Sequence, residues 1–233
     1  MANGRRLAAW PDFYERIGCP RNILVLAPHP DDETLGCGGL IAAAVEHGVV
    51  VKVVFLTNGE ASHPNSVTHP PRRLARLRQC EAEAATKRLG SGVQKCFLRL
   101  PDTGTASLPY PMRGVVRERL KDEARAFDTE LILAPAGNDP HTDHQSAYRW
   151  AGELSSDLAI PRLCYHVWSR PQHQANTHCL AFQLGAYRRR KWAALLCHRS
   201  QLGLVVKDDP QGFALQPDDL RTMLGPTEEY CFD

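Results

Sequence analysis

The feature that most constrains the fold of this chain is an alternation: short apolar runs rich in β-branched residues, separated by segments of helical composition, from about residue 22 to residue 168. Asn22 to Ala27 is the first run and Pro28 ends it; Val49 to Leu56 is the second, closed by Thr57, Asn58 and Gly59. Between them, Gly38 to His47 has helical composition and stops at Gly48, a residue suited to a helix C-terminus. The pattern continues with helices over Arg72 to Leu89 and Arg113 to Phe127, and strands over Lys95 to Leu100 and Glu130 to Ala134. A helix from about His144 to Ser155 and a strand from Arg162 to Trp168 complete it. Runs this apolar are buried on both faces, so the sequence predicts an α/β, Rossmann-like domain. It has a mostly parallel sheet of about five strands with helices on both faces.

After Trp168 the alternation fails. A polar stretch leads to a helix near Ala186 to His198 and a tail containing Pro210 and Pro217. At 233 residues the simplest organisation is one domain, with a core over about 22–168 and a small C-terminal appendage over 169–233. Arg188 to Lys191 is a basic run that reads as a solvated helix face.

Bulk properties narrow the function. A 43% hydrophobic and 23% charged composition is that of a chain with a buried core, and a formal charge of +2 gives no broad basic field, so nucleic acid is not an expected partner. Leu35 to Leu56 is the most apolar stretch, but Glu46, His47 and Lys52 interrupt it, which excludes a transmembrane helix there. Met1 to Pro20 lacks the continuous apolar core of a secretory signal. The eight cysteines have no CxxC spacing and read as mostly reduced, buried thiols of a cytoplasmic protein.

The chemistry is concentrated in two loops. Pro28-His29-Pro30-Asp31-Asp32-Glu33 follows the first strand, and its two prolines fix φ around the histidine. Asp139-Pro140-His141-Thr142-Asp143-His144 follows the fourth strand after a Gly137-Asn138 turn. Taken alone, the second segment also reads as a helix start with Thr142 or Asp143 as N-cap. In a doubly wound sheet ordered 3-2-1-4-5, however, the first and fourth strands are neighbours and their loops flank one crevice. So many carboxylates at a strand end repel one another unless a cation lies among them. Two imidazoles and one carboxylate form a zinc ligand set seen in hydrolases, with the fourth position left to water; calcium or magnesium does not call for histidines.

These segments resemble the LmbE/PIG-L family of zinc-dependent N-deacetylases, whose signatures look like AHPDDE and HxDH. Pro28 replaces the family's alanine. The resemblance extends to Thr34-Leu35-Gly36-Cys37-Gly38-Gly39, Thr57-Asn58-Gly59-Glu60, Arg78, Glu81 and Leu89-Gly90, and more weakly to Lys191 with His198-Arg199-Ser200-Gln201. It implies that His29, Asp32 and His144 bind zinc, or ferrous iron, and that Asp31 is the general base that later protonates the leaving amine. It also implies that His141 stabilises the oxyanion with Asp143 holding its ring, and that Arg78 and His198 contact substrate. Glu33 is expected to brace the loop. The implied activity is hydrolysis of an N-acetyl group on an N-acetylglucosamine-type sugar or glycoconjugate. An amidase acting on a thiol-sugar conjugate or antibiotic intermediate fits the same motifs, and a noncatalytic carbohydrate-binding module has no use for Asp31. Loops carrying His63, His69 and Asp102-Thr103-Gly104 are expected on the cleft rim, with the two histidines as flexible surface residues; a homo-oligomer is left open.

Overall fold

A computed structural model describes residues 7–170 and 179–232. The elements in chain order are β1 (Leu7–Ala8), α1 (Asp12–Arg16), β2 (Asn22–Ala27), α2 (Asp32–Glu46), β3 (Val50–Thr57), α3 (Pro71–Leu89) and β4 (Gln94–Leu100). After a single 3-10 turn (Thr105–Ser107) come α4 (Tyr110–Ala126), β5 (Leu131–Pro135), α5 (Thr142–Leu158), β6 (Arg162–Tyr165), β7 (Cys179–Gln183), α6 (Tyr187–Leu195), α7 (Pro217–Met223) and β8 (Thr227–Phe232). Among the described residues these strands form one sheet of order β1-β7-β8-β6-β5-β2-β3-β4.

The expected five-stranded unit is present as β4-β3-β2-β5-β6, parallel at every step. Strand β2 shows why these runs are apolar throughout. Ile23, Val25 and Ala27 enter the core on one face, with Leu35, Leu40 and Ile41 of α2. Leu24 and Leu26 enter the core on the other, with Trp150 and Leu154 of α5. Side chains on a strand alternate between faces, so a strand covered on both sides needs an apolar residue at every position. The helices that follow β2 and β5 therefore lie on opposite faces, and the two loops open into one crevice between adjacent strands.

The C-terminal segment is more than the small appendage the sequence suggests, because it extends the sheet. Strand β8 runs antiparallel to both β6 and β7, and β7 carries the two-residue β1. Thr227 to Phe232 escapes a search for apolar runs because it is a return strand in which Glu228 is buried with a specific partner. Helix α2 is broken at Cys37 (φ −142°, ψ 20°). Glu228 caps the restart by accepting from Gly39 N (2.7 Å) and Leu40 N (2.9 Å). Lys191 Nζ donates to Leu35 O at the end of the first half (2.7 Å) and to Glu228 (2.8 Å). Lys191 is thus buried, and the basic run that reads as a solvated face is split: Arg190 pairs with Glu46, and Arg188 donates to Leu224 O.

One pair of cysteines departs from the reduced reading. Cys179 and Cys231 are disulfide-bonded across β7 and β8, where the register makes them direct partners at a sequence separation of 52. Cys19 and Cys80 are exposed rather than buried. Among the described residues no helix is long and apolar enough to cross a membrane. The first six residues and the polar stretch 171–178 lie outside the described residues.

Candidate metal centre

The loop after β2 is anchored before it presents any chemistry. Thr57, at the end of β3, donates its N–H and its hydroxyl to Pro28 O, both at 3.0 Å. Asp31 follows at φ 136°, a conformation that non-glycine residues adopt only when their surroundings impose it. Here Glu33 Oε2 accepts from Asp31 N (3.0 Å), and Arg78 Nη2 donates to Pro30 O (2.6 Å) while lying 3.3 Å from Asp31 Oδ1. Asp32 opens α2 and accepts from His29 N at 2.8 Å, drawing its carboxylate back over the imidazole. Glu33, fully buried against Thr34 and Asp31, braces the loop as expected.

The loop after β5 meets it. His141 N donates to Asp139 Oδ1 (3.0 Å), and His141 Nδ1 accepts from Asp143 N (3.2 Å), so the histidine itself caps α5. One turn further, His144 is fully buried, with Nδ1 3.1 Å from Asp139 Oδ2 and Nε2 3.2 Å from Asp32 Oδ2. That same Asp32 oxygen is 3.2 Å from His29 Nδ1. Ring centroids of His29 and His144 are 5.4 Å apart, and one nitrogen from each of His29, His141 and His144 falls within 4.8 Å of the others. A second group within that span joins His29 to Asp102 and Asp143. Residues separated by more than a hundred positions are therefore neighbours.

The electrostatics favour a cation at this point. Burial pushes both imidazoles down, but Asp102, Asp143 and Asp32 raise His29 well above the ordinary histidine value. Asp32 and Asp139 likewise bring His144 to about 9. Burial raises Asp32, yet the facing imidazoles outweigh it and hold the carboxyl well below its usual range. Asp31 goes the other way: burial lifts it to about 6 despite Arg78. Both ring nitrogens of His144 are buried without a hydrogen bond of proper geometry, although carboxylate oxygens lie close. Nitrogen donors in that state, with carboxylates around them, suit a divalent metal as well as they suit protons.

Two implied roles need correcting. The Asp143 carboxylate does not hold the His141 ring; it lies 3.1 Å from His29 Nε2 and accepts from Thr103 N (2.8 Å), Thr105 N (3.2 Å) and Thr105 Oγ1 (2.5 Å). With its carboxylate turned to those donors, Asp143 is held at about 2, and His141 is lowered by burial and by the neighbouring imidazoles. His198, just past the end of α6, is fully buried behind the loop, 3.3 Å from Glu33 Oε1 and 3.4 Å from Thr34 Oγ1, and does not wall the cleft. Arg78 does line the cleft while donating to Gly59 O (2.9 Å) and Pro30 O. His63 is buried rather than a flexible surface group, since it sits beneath Gly212, where an added Cβ would meet its Cδ2 at 2.2 Å. Asp102 and Asp139 take larger parts than the motifs suggest, each facing a site histidine; the quoted Asp102-Thr103-Gly104 and Asp139-Pro140 segments were their only sequence signal.

The cleft has a volume of about 400 Å³ and is walled by His29, Asp31, Asp32, Arg78, Asp102 and His141. Larger hollows of about 700 Å³ beside Trp192 and about 520 Å³ beside Arg99 have no imidazole or carboxylate in their walls. The imidazoles and carboxylates are therefore gathered in the smaller space.

Residues 24–155, more than half of the chain, match the family description PIG-L, GlcNAc-PI de-N-acetylase. The 2'-N-acetylparomamine deacetylase of Streptomyces fradiae is 30% identical over 142 residues, covering 56% of this chain and 50% of that protein. This chain thus spans half the length of that relative. A probable N-acetyl-alpha-D-glucosaminyl L-malate deacetylase of Bacillus anthracis is 25% identical over 198 residues, covering 81% and 84%. The solved N,N'-diacetylchitobiose deacetylase of Pyrococcus horikoshii shares the fold at a TM-score of 0.64 and 24% identity, covering 87% of this chain and 73% of that one.

Proposed function

Because this chain belongs to the PIG-L family of LmbE-like deacetylases, we propose that it is a metal-dependent hydrolase that removes the N-acetyl group from an N-acetylglucosamine-type sugar or glycoconjugate. The ligands in this reading are His29, Asp32 and His144, and the metal is zinc or ferrous iron. The observation that carries it is the single Asp32 oxygen 3.2 Å from a nitrogen of both His29 and His144, with the Asp31 carboxylate beside it on the same cleft wall. A bound zinc ion would lower the pKa of its water to about 7 and polarise the amide carbonyl.

The protein groups supply the rest. Asp32, held well below its usual range by the two imidazoles, is a poor proton acceptor. Asp31 is uncommitted apart from Arg78, and its lifted pKa of about 6 suits a base that takes a proton at neutral pH and returns it to the departing amine. His141 faces the same cleft and can donate to oxygen as negative charge develops there. Asp102 and Asp143 fix the His29 ring from its far side, the arrangement by which carboxylates orient a ligating histidine.

The test is metal analysis followed by acetate release over a panel of N-acetyl sugars. Asp31→Ala is expected to keep its metal and lose on the order of a hundredfold or more in kcat. Near-normal turnover in that variant, or no acetate from any sugar with the metal in place, would overturn the assignment.

A further inference from the structure

Trp168 and Phe213 stand on the cleft wall with His29, Asp31 and His141, yet neither is a metal ligand or a proton carrier. Their rings meet edge to face, with centroids 5.7 Å apart and planes at 82°. Phe213 is 37% exposed, while Trp168 packs one side on the core. Large rings left open to solvent at a cleft forgo burial, which makes them candidates for ligand contact.

Both rings are tied to the site by backbone bonds. Trp168 N donates to Asp139 Oδ2 (3.2 Å), the same oxygen that lies 3.1 Å from His144 Nδ1. Phe213 N donates to Ser62 O (2.8 Å), and Ser62 also lines the cleft. The aromatic surface therefore keeps a fixed relation to the reacting groups. Beside it is Gln211, exposed, with an amide that can both donate and accept. A corner made by two aromatic rings at 82°, with an amide beside it, complements a polyhydroxylated ring, whose C–H face is apolar and whose edge carries hydroxyls. Both aromatic residues lie beyond residue 155, where the family match ends.

We propose that Trp168, Phe213 and Gln211 form a carbohydrate-ring subsite, in which a pyranose or cyclitol seats in the corner between the two rings, its C–H face against one and its rim against the other, and Gln211 bonds its hydroxyls. The assignment of the ring's acetamido group to Asp31 rests on the deacetylase reading; ring binding itself requires no turnover.

The experiment uses the metal-loaded protein and two readouts. The first is calorimetric titration with D-glucosamine, which carries no acetyl group. The second is kcat and KM for N-acetylglucosamine and for the acyclic amide N-acetylethanolamine. Trp168→Ala and Phe213→Ala are expected to weaken glucosamine binding about tenfold and to raise KM for the sugar by a similar factor, more than they change kcat. The ratio of kcat/KM for the sugar to that for the acyclic amide should fall about tenfold, and Trp168→Phe should recover most of the loss. Failure of glucosamine to bind the parent protein, unaltered binding by Phe213→Ala, or equal losses on the two substrates would overturn the subsite. If no N-acetyl sugar releases acetate but the variants still lose glucosamine binding, the deacetylase reading fails and the subsite stands.

Discussion

Asp32 and His144 decide the behaviour of the site at the scale of single residues. Without metal, His144 titrates at about 9 because Asp32 and Asp139 outweigh its burial. A histidine raised in the folded state contributes stability that is fully present below its unfolded value near 6.5 and is lost as pH rises through about 9. Metal needs the neutral ring, so its affinity grows as that proton leaves. The gain in thermal midpoint on adding zinc should therefore increase between about pH 6.5 and 9, which differential scanning calorimetry can check; a gain that shrinks over that window would remove His144 from the ligand set. His144→Ala should lower the metal content of purified protein, read by elemental analysis. The histidines and aspartates of both loops were legible because rigid loops at strand ends carry them. The pairing of Asp143 with His29 was not: which ring a carboxylate meets depends on loop packing, here on donors from Thr103 and Thr105.

Elements bring a different dependence, in which the cleft rim is held from a distance. Asp208 accepts from Val67 N, Thr68 N, Ser66 Oγ and Thr68 Oγ1, each at 2.8 Å, pinning the segment that follows β3. The backbone donor of Thr68 and the neighbouring hydroxyls hold this carboxyl well below its ordinary value. A depressed carboxyl gives stability that is present above its unfolded pKa near 3.9 and lost as pH falls. Asp208→Ala should speed hydrogen exchange at amides 67 and 68 and raise KM severalfold at neutral pH, because Ser62 and its neighbours form one cleft wall. Unchanged protection of those amides would refute the pin. The order and type of the elements from 22 to 168 followed from the alternation of apolar runs and helical segments, but α2 begins at Asp32 rather than Gly38 and β6 ends at Tyr165 rather than Trp168. The contact between residues 66–68 and 208 has no local signal, since it joins two polar segments about 140 positions apart.

For the whole molecule, the part of the chain that looked peripheral completes the core. Lys191 and Glu228 are each almost fully buried, 2.8 Å apart, and bridge the two halves of α2. Glu228→Ala would leave an ammonium buried without its partner and two helix N–H groups uncapped, at a cost of about 3–5 kcal/mol in a denaturation experiment. A loss below about 1 kcal/mol would mean that the pair contributes little. The same helix shows how narrow the tolerances are. A Cβ added at Gly36 would lie 2.2 Å from Tyr165, and one at Gly39 would lie 2.0 Å from Leu184. Tyr165 is itself fastened to Leu26 O (2.8 Å) and cannot yield. Asp32 rides on the first turn of that helix, so a methyl group added four residues downstream would act as a wedge, and the aim of the carboxylate is set by how little matter separates helix from sheet.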